Sequence, residues 1–218
     1  MNRMNPPIDF YLASGSPRRR EVLSGMGLDF TVRTADADET LPCGLSPAEA
    51  GRLLALRKAQ ALKSVLAAEG KFNENTAILA ADTLVYALGV PLGKPKDEAD
   101  ALRMLRTLSG VEHTVCTGAC LLLGEKTFTR ADETKVRMRD FTEAEARAYV
   151  STGEPLDKAG AYGIQGIGAV LVDSIDGDFF TVMGLSPTAV HRLFAEAGIN
   201  TLTDVFSDAG CEKSLHNN

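Results

Sequence analysis

Apolar and polar positions along this chain follow two rhythms, and the changes between them mark out strands and helices. Asp9–Ala13 is a short apolar run that reads as a strand. In the following "SGSPRRREVL", Gly15 bends the chain, Ser16 can cap, and Pro17 suits the first turn of a helix that stops at Gly27. "FTVRTA" (Phe30–Ala35) reads as a second strand, followed by an acidic loop, "DADETLPCGLSP". Ser46-Pro47-Ala48-Glu49 is a capping box that opens a long helix to about Glu69, with Leu53, Leu54, Leu62, Val65 and Leu66 as its apolar stripe. "AILAADTLVYAL" (Ala77–Leu88) is apolar on both alternating faces, which predicts a buried central strand. Asp97 begins a helix carrying Leu102, Met104, Leu105 and Leu108, and Gly110 ends it.

The second half is richer in strands. "HTVCTGACLLLG" and "KTFTRADETKVRMR" are expected to pair as a hairpin, and Thr142–Glu145 is a second capping box whose helix ends at Gly153. After the glycine-rich turn "DKAGAYGIQGIG", "AVLVDSI-DG-DFFTV" is expected to form another hairpin about Asp176-Gly177. Ser186-Pro187 starts a helix to about Ala197, and from Asn200 the periodicity fades into a tail expected to be frayed. This alternation predicts an α/β protein, one large domain over residues 1–218 made of two closely joined lobes with a cleft between them.

Composition narrows the chemistry. The net charge is -6, so the triplet Arg18, Arg19 and Arg20 is a local feature of an acidic molecule, and no comparable basic cluster accompanies it. That pattern favours a small anionic ligand over a nucleic acid polymer, and 6% aromatic residues is too few for a base-stacking platform. No stretch approaches the roughly 20 apolar residues of a membrane span, and "MNRMNPPIDFYLA" lacks a secretion signal's pattern. Cys43, Cys116, Cys120 and Cys211 show no CxxC spacing, which suggests reduced thiols in a cytoplasm.

Several chemistries drop out. "GVPLGKP" has three rather than four residues between Gly89 and Gly93, and Pro95 where a Walker A loop has Ser or Thr. Gly163, Gly166 and Gly168 miss the dinucleotide-binding spacing, and His113, His191 and His216 stand in unrelated contexts, leaving a catalytic triad little to work with. What remains is oddly placed charge. Three arginines in a first helical turn oppose the positive end of the dipole, at ~0.3–1 kcal/mol each. Asp82 lies inside the apolar strand, either as a carboxylate bonded to backbone or to a lysine, or as a base. Glu39 sits in a loop with Asp36 and Asp38 and reads by itself as solvated; Lys58 and Lys94 read by themselves as surface charges. Together, arginines, lysines and paired carboxylates are the parts of a magnesium-dependent phosphate site.

"SGSPRRREVL", "ADTLVY", "GKPKDEADALRMLRTLSG" and "EPLDKAGAYGIQG" closely resemble the Maf family of nucleoside triphosphate pyrophosphatases, over about Phe10 to Ala197 and in the family's order. "AGAYGIQG" further resembles the branch acting on dTTP and UTP rather than 7-methyl-GTP. The resemblance implies a two-lobed mixed sheet with flanking helices and a deep central cleft, often dimeric, that uses a divalent cation, Mg2+ or Mn2+. It implies hydrolysis of a nucleoside triphosphate to the monophosphate and pyrophosphate, with Asp82 as proton acceptor and Glu39 beside the metal. Lys58 and Lys94 match cleft lysines that stabilise the leaving group, and the Ser14-to-Arg19 turn matches a triphosphate cradle whose unfavourable cluster is compensated when an anion binds. Arg18, Thr83 and Gln165 match positions linked to base selection. A glutamine offers one acceptor and two donors to the N3–H and O4 of uracil or thymine, provided the glycine-rich turn holds the amide one way round. The family is also associated with restraint of cell division and septum formation, so a nucleotide-binding regulator is the alternative reading. Such a regulator needs the cradle but not a carboxylate in the buried strand.

Overall fold

Residues 8–206 are described by a computed structural model. In chain order, β1 (Asp9–Leu12) leads into α1 (Pro17–Gly25), β2 (Thr31–Val32), α2 (Pro47–Ala68), β3 (Thr76–Ala87), β4 (Val90–Leu92) and α3 (Glu98–Leu108). Then come β5 (Glu112–Leu123), β6 (Lys126–Met138), α4 (Glu143–Val150), three 3-10 turns at Glu154–Asp157, Ala159–Ala161 and Gly166–Leu171, β7 (Val172–Asp176), α5 (Phe179–Met183), α6 (Pro187–Glu196) and α7 (Thr203–Phe206). Both capping boxes form as read: Ser46 with Glu49 at α2, and Thr142 with Glu145 at α4. The Asp97 carboxylate caps α3 and the Ser186 hydroxyl caps α6.

The seven strands form one mixed sheet in the order β2-β1-β3-β5-β6-β7, with β4 also paired to β3. The predicted hairpin of β5 and β6 forms, from Glu112 opposite Arg137 to Leu123 opposite Lys126. The second predicted hairpin does not. Val172–Asp176 pairs with β6 instead, and Phe179–Met183 is helical, because the Asp178 carboxylate accepts from the Phe180 amide and Gly184 (φ 111) closes the turn in a left-handed conformation. Local capping outweighs the strand preference of two phenylalanines there. The strand expected over Phe30–Ala35 shrinks to Thr31–Val32 at the sheet edge, and Thr203–Phe206 is helical in what read as aperiodic tail. The rest of the tail expected to be frayed lies outside the described residues.

β3 organises the site. On one side it pairs continuously with β5 from Ala77 to Tyr86. On its other side β1 covers Thr76–Leu79 in parallel and β4 covers Val85–Ala87 antiparallel. Neither strand reaches the stretch between, which holds Asp82 and Thr83. β1 delivers Ser14 and Gly15 to this break from one end, and β4 delivers Gly93 and Lys94 from the other. Loops that diverge from neighbouring strands leave a crevice at such a break, where α/β sheets tend to bind ligands.

Strand alternation then assigns faces. Ala77, Leu79 and Ala81 join the core built with α1 and α6, around Leu12, Leu23, Val190 and Phe194. Ile78 and Ala80 join the opposite core under α2, with Ala55, Ala59, Leu62 and Leu66. Asp82 therefore faces α2 and Thr83 faces α1. A third core, at the far end of β3, β5 and β6, packs Val85, Leu105, Val136 and Tyr149. The long strands thus run through two packed regions with the break between them. α2 lies against β5 so closely that Gly118 meets the Gly51 backbone directly: a Cβ on Gly118 would lie 2.0 Å from the Gly51 carbonyl carbon.

Candidate active site

On the α2 side of the break, the half-buried Lys58 ammonium bridges two carboxylates. It pairs with Asp82 at hydrogen-bond contact and with Glu39 at 2.8 Å. Lys58 stands about two turns beyond Gly51, so the Gly51–Gly118 backbone contact sets its reach. Its neighbour Arg57 donates to the Thr40 carbonyl at 2.5 Å and the Asp38 carbonyl at 3.1 Å, which draws the acidic loop to the helix and brings Glu39 into range. The hydrogen bond from Lys58 holds the Glu39 carboxyl below its ordinary pKa against the opposing effect of burial, and the Lys58 and Lys94 charges add to it. Of the two readings open for Asp82, the lysine-bonded carboxylate describes its contact, and that contact also aims the group into the break.

On the α1 side, Arg19 spreads its guanidinium over three neutral acceptors. Nε donates to the Gly184 carbonyl at 2.8 Å, one terminal nitrogen to Ser14 Oγ at 3.0 Å and the other to Thr83 Oγ1 at 3.0 Å. Among the described residues no carboxylate pairs with it. Burial lowers its pKa, and the Asp82 charge across the strand partly restores it. Thr117 Oγ1 donates to the Thr181 carbonyl at 2.7 Å, so Thr83 is the donor in the 3.0 Å Thr83–Thr117 contact, leaving its own lone pairs for Arg19. The Ser16 side chain makes no cap. Instead Ser14 Oγ accepts from the Ser16 amide at 3.3 Å, and the first-turn amides of α1 stay uncapped by any side chain. Arg19 is therefore better satisfied without ligand than the clustering of charge predicts. Arg18 is half-buried, with its charge felt at Asp157 across the break, and Arg20 faces solvent.

The glycine-rich turn is held by residues that sequence reasoning did not single out. Glu154 Oε1 accepts from the Gly168 amide at 3.0 Å and the Tyr149 hydroxyl at 2.9 Å, while Oε2 accepts from the Ile167 amide at 2.9 Å. Tyr149 in turn accepts from the Gly163 amide at 3.1 Å. Burial opposes the Glu154 charge, but these amides, the hydroxyl and Lys158 together keep its pKa below the ordinary carboxylate value. Gln165 sits on this turn, exposed. The turn's backbone is clamped, whereas the amide of Gln165 is not: among the described residues nothing hydrogen-bonds to it, contrary to the expectation that the turn would hold it one way round.

A family model described as "Maf-like protein" matches residues 9–197. The chain belongs to the Maf family. It is 47% identical over 192 residues to the dTTP/UTP pyrophosphatase of Moorella thermoacetica, an alignment spanning 87% of this chain and 95% of the relative. It is 41% identical over 196 residues to the dTTP/UTP pyrophosphatase of Aquifex aeolicus, covering 90% and 98%. With the enzyme of the same description from Bacillus cytotoxicus it shares 46% over 176 residues, covering 81% and 88%.

Measured against the Maf motifs, the break gathers Ser14, Arg19 and Thr83 on one face and Lys58, Asp82 and Glu39 on the other, with Lys94 near Glu39. Arg18 and Gln165 stand apart from both contact networks. Among the described residues, no three His, Cys, Asp or Glu side chains cluster as a ready metal cage. Glu39 and Asp82, sharing one ammonium, are instead the sparse carboxylate set that suits Mg2+ or Mn2+ when substrate phosphates supply further oxygens. Burial pushes the Cys116 and Cys120 thiols up to about 12, so neither supplies a thiolate.

Proposed function

We propose that this Maf protein hydrolyses dTTP and UTP, by attack of water at the α-phosphorus, to the nucleoside monophosphate and pyrophosphate. The observation that carries the reading is the break in the β3 edge, where a carboxylate–lysine–carboxylate array meets an arginine that has no carboxylate partner among the described residues. The uncapped amides of α1, the helix dipole, Arg18 and Arg19 attract the triphosphate. Asp82 takes the proton of the attacking water, and Lys58 and Lys94 neutralise the charge that builds on the departing pyrophosphate. A divalent cation held by Glu39 and Asp82 would polarise phosphate oxygens there. When the triphosphate arrives, Lys58 shifts part of its charge from the carboxylates to the phosphate oxygens, which leaves Asp82 freer to accept a proton.

Gln165, with Arg18 and Thr83, selects the base. Purines demand a larger space, and cytosine presents the reversed donor–acceptor edge, so CTP is expected well behind UTP and purine triphosphates poor. A cytoplasmic location and a homodimer belong to the same reading; the unbridged Cys43, Cys116 and Cys120 support the first, and light scattering in solution tests the second. Gln165→Ala tests base choice: the UTP over CTP preference falls, while turnover of UTP at saturation changes less. An unchanged preference overturns the assignment of Gln165.

A further inference from the structure

The turn that carries Gln165 is over-determined at both ends. Three hydrogen bonds converge on Gly163–Gly168 from just two side chains, Tyr149 and Glu154, which come from α4 and the turn that follows it, and a fourth ties the two side chains together. Gly168 has no room for a side chain, and one at Gly166 or Gly163 would crowd the clamp. A Cβ on Gly168 would lie 2.4 Å from the Tyr149 hydroxyl, and one on Gly166 (φ +74) would lie 2.8 Å from Glu154 Oε2. A Cβ on Gly163 would press on the Gln165 carbonyl at 3.0 Å. Glu154 thereby does from a distance what a local cap does for a helix: it satisfies the first free amides of the Gly166–Leu171 turn. Gly153 (φ 74) places Glu154 for this by reversing the chain directly after α4.

Fixing the backbone on both sides of Gln165 to this degree, while leaving the Gln165 amide without a partner among the described residues, has a consequence for selectivity. A glutamine amide that nothing holds can turn over to suit uracil or cytosine, so selectivity has to come from where the fixed backbone of the turn places this side chain and the turn's own polar groups against the base. We infer that Glu154, supported by Tyr149, is the positioning residue for base selection: its carboxylate fixes the Gln165 turn and so sets how strictly the enzyme distinguishes uracil and thymine from cytosine and the purines. The inference rests on the assignment of Gln165 to the base.

The test is a double-mutant cycle of Glu154→Gln and Gln165→Ala, read as the ratio of kcat/KM for UTP to that for CTP and for GTP. Glu154→Gln keeps shape but turns an NH2 donor toward an amide donor. The expected result is a fall of about tenfold in both ratios, the size associated with one lost buried hydrogen-bond partner, with kcat for UTP within a few-fold of the parent. In the double variant the ratios fall no further than in Gln165→Ala. Tyr149→Phe, which removes the donor to Glu154 Oε1 and the acceptor of the Gly163 amide but leaves the carboxylate its bonds to the Ile167 and Gly168 amides, is expected to shift the ratios in the same direction and covers the case in which Glu154→Gln folds poorly. If Gln165→Ala relaxes selectivity but folded Glu154→Gln and Tyr149→Phe do not, the inference is overturned and the base assignment stands. A uniform loss of kcat/KM for every nucleotide in the two clamp variants, or a double variant whose losses simply add, also overturns it. If Gln165→Ala itself leaves the ratios unchanged, the base assignment fails, and the inference with it.

Discussion

Gly118→Ala isolates the contact that sets the distance between α2 and the sheet. The added methyl would lie 2.0 Å from the Gly51 carbonyl carbon, 2.1 Å from its oxygen and 2.6 Å from the Arg52 amide nitrogen, all backbone atoms with no rotamer to escape into. Ordinary contact begins near 3.4 Å, so the helix has to withdraw by more than about 1 Å. Overpacking of a core costs ~1–3 kcal/mol, and the upper figure applies because a helix backbone rather than a side chain moves. At about 2–4 °C of Tm per kcal/mol for a chain of this size, the midpoint should fall by ~6–12 °C. Lys58 rides on the same helix, and a displacement of that size at a catalytic contact can cost ~100-fold in rate. Gly51→Ala is the control. Its Cβ would meet Gly118 at 3.0 and 3.2 Å, and the up to ~1 kcal/mol that alanine contributes within a helix offsets the strain, so it should be close to neutral. Thermal denaturation by circular dichroism and initial rates of UTP hydrolysis read both effects. A Gly118→Ala protein with the parent's Tm and rate refutes the argument.

Asp82→Asn should keep the fold and bind nucleotide while its rate falls by ~10²–10⁴, measured as pyrophosphate release; activity within a few-fold of the parent removes Asp82 from the role of base. Arg18→Ala and Arg19→Ala should separate. Both weaken triphosphate binding and flatten its dependence on ionic strength, but only Arg19→Ala should lower the stability of the ligand-free protein, since it leaves Ser14 Oγ, Thr83 Oγ1 and the Gly184 carbonyl without their donor. Equal stabilities in denaturant titrations contradict that division. His113 is buried against the Tyr162 hydroxyl at 2.8 Å, and burial lowers its pKa to about 4 from 6.5. The unfolded chain therefore takes up a proton first as pH falls, so its contribution is intact above pH 6.5 and is lost progressively toward pH 4, by about 2 kcal/mol at pH 5. His113→Leu should flatten that part of the stability–pH curve, and an unchanged slope contradicts it.

What was legible in the sequence follows from how local each determinant is. Caps act within a turn, so α2, α3, α4 and α6 begin at Ser46, Asp97, Thr142 and Ser186 as read. The hairpin of β5 and β6 is equally local. Asp176-Gly177 misled because β7 takes β6 as its partner, a distant segment that dipeptide chemistry cannot name. The site residues were recognisable as unusual charges, but their grouping depends on β1 and β4 both lying on one side of β3 and stopping short of Asp82 and Thr83. Alternation along β3 then sends these neighbours to opposite faces. Thr117 came into the site only through the register that sets it opposite Thr83, and Glu154 only through amides 13 and 14 residues further on. Thr117 carries no signal in its own neighbourhood, and Glu154, although it opens a family-like motif, carries none of its role there.

The most direct measurement is the initial rate of pyrophosphate release by the full chain across dTTP, UTP, CTP, ATP and GTP with Mg2+, each nucleotide product identified. dTTP and UTP are expected to be the fastest and to yield the monophosphate and pyrophosphate in equal amounts, with CTP well behind and the purines poor. Release of orthophosphate with a nucleoside diphosphate, or turnover of GTP as fast as UTP, would contradict the account.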